Sequence, residues 1–566
     1  MKHIRIAVVA TVALFLASVN IKAQDFCGMQ HAEAPIEPLG KISTHKGCHL
    51  PSSGTVRGLV LFVQTRNDHE ADDAWPSREL PTWSTRFADE LQRYFRSMSN
   101  NTLDLELDIH PVPQVTQMDE IQYVWQGRKY GDATRDLLAA LDDSIDFSIY
   151  DNWNSDSRPY NILPSGEGKV DLVIVVYRRI DDTRFLNISG VSDLGFMGYL
   201  FTDSMRTYVY GGSGASNDAG SSGVTVTQGP GLGIITQYDW AMSVTIHELL
   251  HKFYGDGHPA GIYGGLGVLS NSGGGKALNS FERHTLGYLD FNMITPGEDA
   301  IVTIRDYLTH NEAWALPLTR PNWYYTFEFR NKSDEYDSAP AKGLYIYRVF
   351  DSESRSQKIV QVMSADGNYQ WKIDSASGRP VKAYPDALSG YNVYQKIPID
   401  GKPYWADGWW GDPSSPFTRA RPKFSSLGNP STDFIWGGDT VRTNVHMYLL
   451  SMTNDEATLF ITYTAPAILS AEPLPASSLT LEQSWPNPIT AGSSISMVAF
   501  SIPSAADVTL VVHDVTGRIV GSPLSATFAA GRHVRTFDVQ HLLPGTYWYV
   551  LTSGGIQQRR SFTVLR

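Results

Sequence analysis

Two textures of hydrophobic pattern divide the chain. Before about residue 297, short apolar runs alternate with stretches of helical spacing. RGLVLFVQ at Arg57 to Gln64 and VDLVIVV at Val170 to Val176 read as buried strands. Thr82 to Met98 carries Phe87, Leu91, Tyr94 and Phe95 at helical spacing, and Asp132 to Leu141 is a second helix. Asp239 to Tyr254 is a third, with Ile246, Leu249, Leu250 and Phe253 on its apolar face and Gly255 as its stop. The Gly- and Ser-rich residues 211–233 read as loops around an edge strand near Val224 to Thr227. Strands alternating with helices predict an α/β core.

From about residue 298 the pattern changes to short alternating segments: AIVTIRDY, YYTFEFRN, GLYIYRVF, KIVQVMSA and ATLFITYT, separated by Gly, Pro and Asp. These predict an all-β accessory region over 298–463. Thr464 to Ser478, rich in Pro, Ala and Ser, reads as a linker. Leu479 to Arg566 alternates again, through ISMVAFSIP, DVTLVVHDVTGR, TYWYVLTS and RRSFTVLR, which predicts a small β-sandwich. The expected fold is therefore multi-domain: an α/β domain over 56–297, the all-β accessory region, and a C-terminal β-sandwich over 479–566. A length of 566 residues, too great for one ordinary core, agrees.

Composition adds limits. With 42% hydrophobic and 19% charged residues the chain is globular, not disordered. Its net charge is -13, and -16 once the three positive charges of residues 1–23 (Lys2, Arg5 and Lys22) are set aside. So acidic a surface argues against nucleic acid as a partner. Residues 1–23 read as an export signal: a basic start, the apolar run Ile6 to Ala17 and a small residue, Ala23, before Gln24. Residues 24–55 read as an N-terminal segment or short pro-region. No later stretch is apolar enough for a membrane helix, so no transmembrane segment is expected in the mature chain. The two cysteines, Cys27 and Cys48, are expected to pair in one disulfide, as suits an exported protein.

The candidate chemistry lies in His247-Glu248-Leu249-Leu250-His251. Four residues apart on a helix, two imidazoles project from one face and can take two corners of a tetrahedral zinc site. Glu248 beside them suits a general base acting on a zinc-activated water. A third ligand is needed. Sites of the metzincin type use His-x-x-Gly-x-x-His, whereas here the glycine and the histidine both fall one residue later, at Gly255 and His258. His258 is the first choice, with Asp256 and Glu282 as alternatives. Asp151, Asn152, Asn154 and Asp156 could hold calcium, although a solvated turn explains them as well. Trp405, Trp409 and Trp410 suit either a glycan platform or the packing of an irregular loop, and Tyr263 or Tyr288 could stabilise an oxyanion.

Several segments resemble the immune inhibitor A family of secreted metallopeptidases. They are Phe87 to Leu91 with Ser97 to Leu103, Ile145 to Asp151 with Val170 to Val173, Leu278 to Arg283 with Leu286 to Tyr288, and Tyr325 to Asn331 with Gly343 to Tyr347. The likeness covers residues 57–360 in pieces and implies a zincin-like catalytic domain. Family members carry Gly where this chain has Tyr254, an aspartate where His258 aligns, and Leu-Met-Ser where it has Val268-Leu269-Ser270. The C-terminal region resembles a type IX secretion sorting domain, through Pro486-Asn487-Pro488, Val512 to Arg518, Leu543 to Tyr547 and the basic end at Arg559, Arg560 and Arg566. That resemblance implies passage through the periplasm of a Gram-negative bacterium, the type IX machinery as partner, and release or attachment at the cell surface. The expected function is a secreted zinc endopeptidase acting on proteins or peptides. The competing expectation is a non-catalytic surface adhesin or binding protein that keeps the fold.

Overall fold

The computed structural model describes residues 46–155, 162–213, 218–255, 257–259, 266–269, 276–320, 322–351, 358–367, 370–373, 380–383, 396–399, 402–405, 415–428, 430–436, 439–464, 479–484, 487–489, 495–521, 524–528 and 530–565. The expected export signal, Cys27, Asp156, Asp256, Tyr263, Ser270, Trp409, Trp410 and linker residues 465–478 lie outside them. Strands far outnumber helices among the described residues, and they form several separate sheets.

The first sheet runs Leu103–Ile109, Gly54–Gln64, Val173–Tyr177, Gly223–Val226, Gly190–Val191. The first four are parallel, and Gly190–Val191 pairs antiparallel with Gly223–Val226. Successive side chains of a strand point to opposite faces, and here both faces are covered. Val60, Phe62, Ile174 and Val176 pack on one side with residues of the helices Ser84–Met98 and Tyr238–Tyr254. Leu59, Leu61, Val63, Val173, Val175 and Tyr177 pack on the other with residues of Tyr130–Leu141. Burial on both faces is why these strands read as continuous apolar runs.

One expectation is corrected. The strand near Val224 is not an edge: Gly223–Val226 lies between Val173–Tyr177 and Gly190–Val191, and all four of its residues are buried. A Cβ on Gly223 would lie 2.2 Å from the Val173 carbonyl oxygen, so glycine permits the close approach of the neighbouring strand. The true edge, Gly190–Val191, has two residues, too few for any periodicity to reveal.

The second region has a five-stranded sheet, in which Phe291–Met293, Ala313–Pro317, Trp323–Arg330, Gly343–Phe350 and Ile359–Val362 lie side by side. A four-stranded sheet of Ala300–Arg305, Glu456–Thr462, His446–Met452 and Lys423–Ser425 shares a core with it, including Ile304, Phe327, Leu344 and Met447. The C-terminal residues form a three-stranded and a four-stranded sheet around Val498, Phe500, Leu510, Tyr549 and Phe562. No helix among the described residues is long and apolar enough to cross a membrane.

Candidate metal centre

The helix Tyr238–Tyr254 carries His247, Glu248 and His251, all buried. Burial extends to every residue from Val244 to Tyr254, well beyond the single apolar face that the sequence predicts. The helix packs on the first sheet, against Gly223–Val226 and Gly190–Val191, and beside the helix Ser84–Met98. Its C-terminal carbonyls are satisfied from outside. Cys48 N–H donates to the Phe253 carbonyl at 2.7 Å, and His49 and Leu50 donate to that of Lys252 at 2.8 and 3.1 Å. Cys48 is itself buried, and the expected pairing with Cys27 falls outside the described residues.

Lys252, next to His251, fixes the helix on its other side. Its fully buried ammonium donates to the carbonyls of Ser192, Ala219 and Ser221 at 2.8, 3.0 and 2.8 Å, and to Ser221 Oγ at 3.0 Å. Gly255 ends the helix at φ +102°, and Gly257 follows at φ +81°. Both angles are in the left-handed region that favours glycine, and here the chain turns back to bring His258 to the helix.

Ligand atoms of His247, His251 and His258 all lie within 4.8 Å of one another, and all three residues are buried. This is the sole cluster of metal-ligating residues among the described residues. His247 Nδ1 lies 2.8 Å from the Val268 carbonyl oxygen, and His251 Nδ1 lies 3.1 Å from that of Gly255. A carbonyl only accepts, so Nδ1 of each ring is the protonated nitrogen and Nε2 keeps its lone pair. Nε2 of His247 is 3.1 Å from Nε2 of His258. Two nitrogens on a tetrahedral zinc ion stand roughly 3.3 Å apart, so this spacing fits one ion between them. Burial pushes His247 down to about 4, against the raising effect of the Val268 hydrogen bond, and burial also lowers His251 well below its ordinary value. The rings are therefore neutral at pH 7, which is the form that binds metal.

Glu282, one alternative ligand, stands outside the cluster. Its carboxylate accepts from the backbone N–H of Val268 at 3.0 Å, of Leu269 at 2.7 Å and of Asn279 at 3.0 Å. Burial raises it to about 7 in spite of those bonds. Asp256, the other alternative, lies outside the described residues. Glu248 packs toward the edge strand: a Cβ on Gly190 would lie 2.6 Å from its Oε1. Tyr288 is buried, with its phenol raised by desolvation. Asp151, from the proposed calcium loop, accepts from the N–H of Glu167 and Gly168 at 2.9 and 2.8 Å. Trp405 ends the strand Lys402–Trp405.

Sequence reasoning missed the parts played by Val268 and Gly190, and it offered Glu282 as an alternative ligand, whereas the Glu282 carboxylate caps its own helix start. The resemblance aligned Val268-Leu269-Ser270 with the family's Leu-Met-Ser, and the Val268 backbone carbonyl is what meets His247 Nδ1, at 2.8 Å. Asn279 three residues before Glu282 was the available signal: it forms a capping box that turns the carboxylate back on the helix start.

No protein-family description matches the chain, and no curated protein matches it. Among solved structures it is similar to a β-glucuronidase of Faecalibacterium prausnitzii, at 21% identity over 19% of this chain and with a TM-score of 0.12. The likeness spans 16% of that enzyme's chain, and so slight a match carries no argument about fold or activity.

Proposed function

We propose that this chain is a secreted zinc-dependent endopeptidase with a zincin-like catalytic domain, related to the immune inhibitor A family. The observation that carries the reading is the convergence of three buried imidazoles, two of them one helical turn apart with Glu248 between. Three histidine side chains suit zinc and leave its fourth position open. A bound zinc ion would polarise the scissile carbonyl and acidify a water molecule. The chain's own residues do the rest. Val268 and Gly255 hold the two helix imidazoles in one tautomer through their carbonyls. Glu248 takes the proton of the attacking water on its carboxylate and passes it to the leaving amine. Zinc is the cofactor proposed on this donor set. For the C-terminal sandwich, the resemblance supports a type IX secretion sorting role and a secreted or surface-attached destination.

Glu248→Ala separates binding from catalysis. It is expected to keep stoichiometric zinc and to lose about 10²- to 10⁴-fold in casein cleavage, the usual worth of a positioned acid–base group. Undiminished cleavage by that variant would sink the mechanism.

A second reading is favoured by one observation: His247, Glu248, His251 and His258 are all at most 1% exposed. Closed sites are typical of structural metal ions. A non-catalytic binding protein with a structural zinc would keep the metal, show no casein cleavage in the wild type, and bind its ligand equally well before and after Glu248→Ala.

A further inference from the structure

The segment that orients His247 is itself gripped from the second region. Arg330 ends the strand Trp323–Arg330 and its side chain is fully buried. Its Nε donates to Glu328 Oε1 at 2.6 Å, Nη1 to Asp337 Oδ1 at 3.0 Å and Nη2 to the Leu266 carbonyl at 3.2 Å. Tyr347 donates its hydroxyl to Glu328 Oε1 at 2.6 Å. The other oxygen of Glu328 accepts from Ser280 N–H at 2.7 Å, at the start of the short helix that bears Glu282. Two arms therefore reach residues 266–269. Arg330 holds the Leu266 carbonyl. Glu328 holds the helix start from which Glu282 grips the N–H groups of Val268 and Leu269. Between them lies the Val268 carbonyl, 2.8 Å from His247 Nδ1.

Stability alone does not account for such a cluster. Burying charge is costly, and an apolar replacement of the same volume is often neutral or stabilising. What the charges add is direction: a guanidinium fixes three acceptors in one plane, and a carboxylate fixes donors on two sides. Groups that hold a ligand histidine from behind set its tautomer and ring angle, and their loss typically weakens metal binding about 10- to 100-fold.

We propose that Arg330 and Glu328 are positioning residues for the metal centre. From outside the region that carries the histidines, they fix residues 266–269 so that Val268 keeps His247 in the Nδ1–H tautomer with Nε2 toward the other two rings. The effect on metal rests on the proposed zinc site, whereas the effect on the tautomer does not.

The test uses the full chain and the variant Arg330→Lys, which keeps the charge but cannot reach Glu328, Asp337 and Leu266 together. Tyr347→Phe, which removes a single hydroxyl, is the milder companion should Arg330→Lys fail to fold. Two quantities are read: ring ¹⁵N shifts of His247 in metal-free, ¹⁵N-histidine-labelled protein, and the rate of zinc release to a chromophoric chelator. Arg330→Lys is expected to lose the single Nδ1–H signature and to release zinc about 10-fold faster or more, with Tyr347→Phe shifted less in the same direction. Wild-type shifts and a wild-type release rate in a folded variant overturn the proposal. A wild type that takes up no zinc overturns the peptidase reading instead, and the ¹⁵N shifts then decide on positioning alone.

Discussion

Around the histidine helix the interior holds charge: Glu248, Lys252, Glu282, Arg283, Glu328 and Arg330 are all fully buried. The C-terminal sandwich is filled differently. Its core is Val498, Phe500, Leu510, Val512, Tyr549, Phe562 and their neighbours, and its buried polar residues among those described are three serines, Ser484, Ser496 and Ser553. Apolar contact is non-directional, so it holds two sheets together without choosing an angle for any one side chain. Hydrogen-bonded buried charge chooses angles, at a cost in desolvation. A metal centre needs such angles, and the apolar core of the C-terminal sandwich sets none. The contrast is the physical reason for seeking chemistry in the first region.

Deleting a comparable interaction from each region sharpens the contrast. Lys252→Met removes the ammonium that ties the histidine helix to Ser192, Ala219 and Ser221, and leaves buried carbonyls short of a donor. The expected cost is about 3 kcal/mol. Leu510→Ala in the sandwich removes a fully buried side chain for a similar cost of about 3 kcal/mol. The consequences should differ. Lys252→Met should lower the unfolding midpoint of the metal-bearing region and speed zinc loss, because His251 is its chain neighbour. Leu510→Ala should lower the midpoint of the sandwich and leave zinc and casein cleavage as in the wild type. Calorimetry with a parallel chelator assay reads both, and equal zinc loss in the two variants would break the comparison.

The same contrast governs what the sequence made legible. Helices and strands that bury an apolar face left a periodic trace, and the structure places helices at Ser84–Met98, Tyr130–Leu141 and Tyr238–Tyr254, within two residues of the pattern. The alternating segments after residue 298 became strands for the same reason. His258 was the first choice because the glycine and the histidine of the metzincin-type spacing both fall one residue later, at Gly255 and His258, and the structure brings it beside His247 and His251. What left no trace was backbone. A two-residue edge strand has no period, and a carbonyl such as that of Val268 has no letter of its own. The reach of Arg330 from a strand more than sixty residues beyond Leu266 depends on how two sheets meet, which spacing along the chain does not encode.

Two glycines give the smallest and most selective form of the comparison. Gly190, on the edge strand, has ordinary backbone angles but no space: an added Cβ would lie 2.5 Å from Val244 Cγ1 and 2.6 Å from Glu248 Oε1. Gly517, in the sandwich, is the reverse. It has φ +82° and nothing within 4 Å of an added Cβ. Gly190→Ala therefore acts by overpacking, at about 1–3 kcal/mol, and the atoms it displaces belong to Val244 and to the proposed general base, Glu248. Gly517→Ala acts through the left-handed backbone alone, at about 1–2 kcal/mol. Casein cleavage should fall in Gly190→Ala while zinc stays stoichiometric, since the three atoms nearest that Cβ position belong to Val244 and Glu248. In Gly517→Ala cleavage should hold while the sandwich melts earlier. If Gly190→Ala cleaves at the wild-type rate, Glu248 does not need the slot between helix and edge strand, and its assignment as the base loses its structural support.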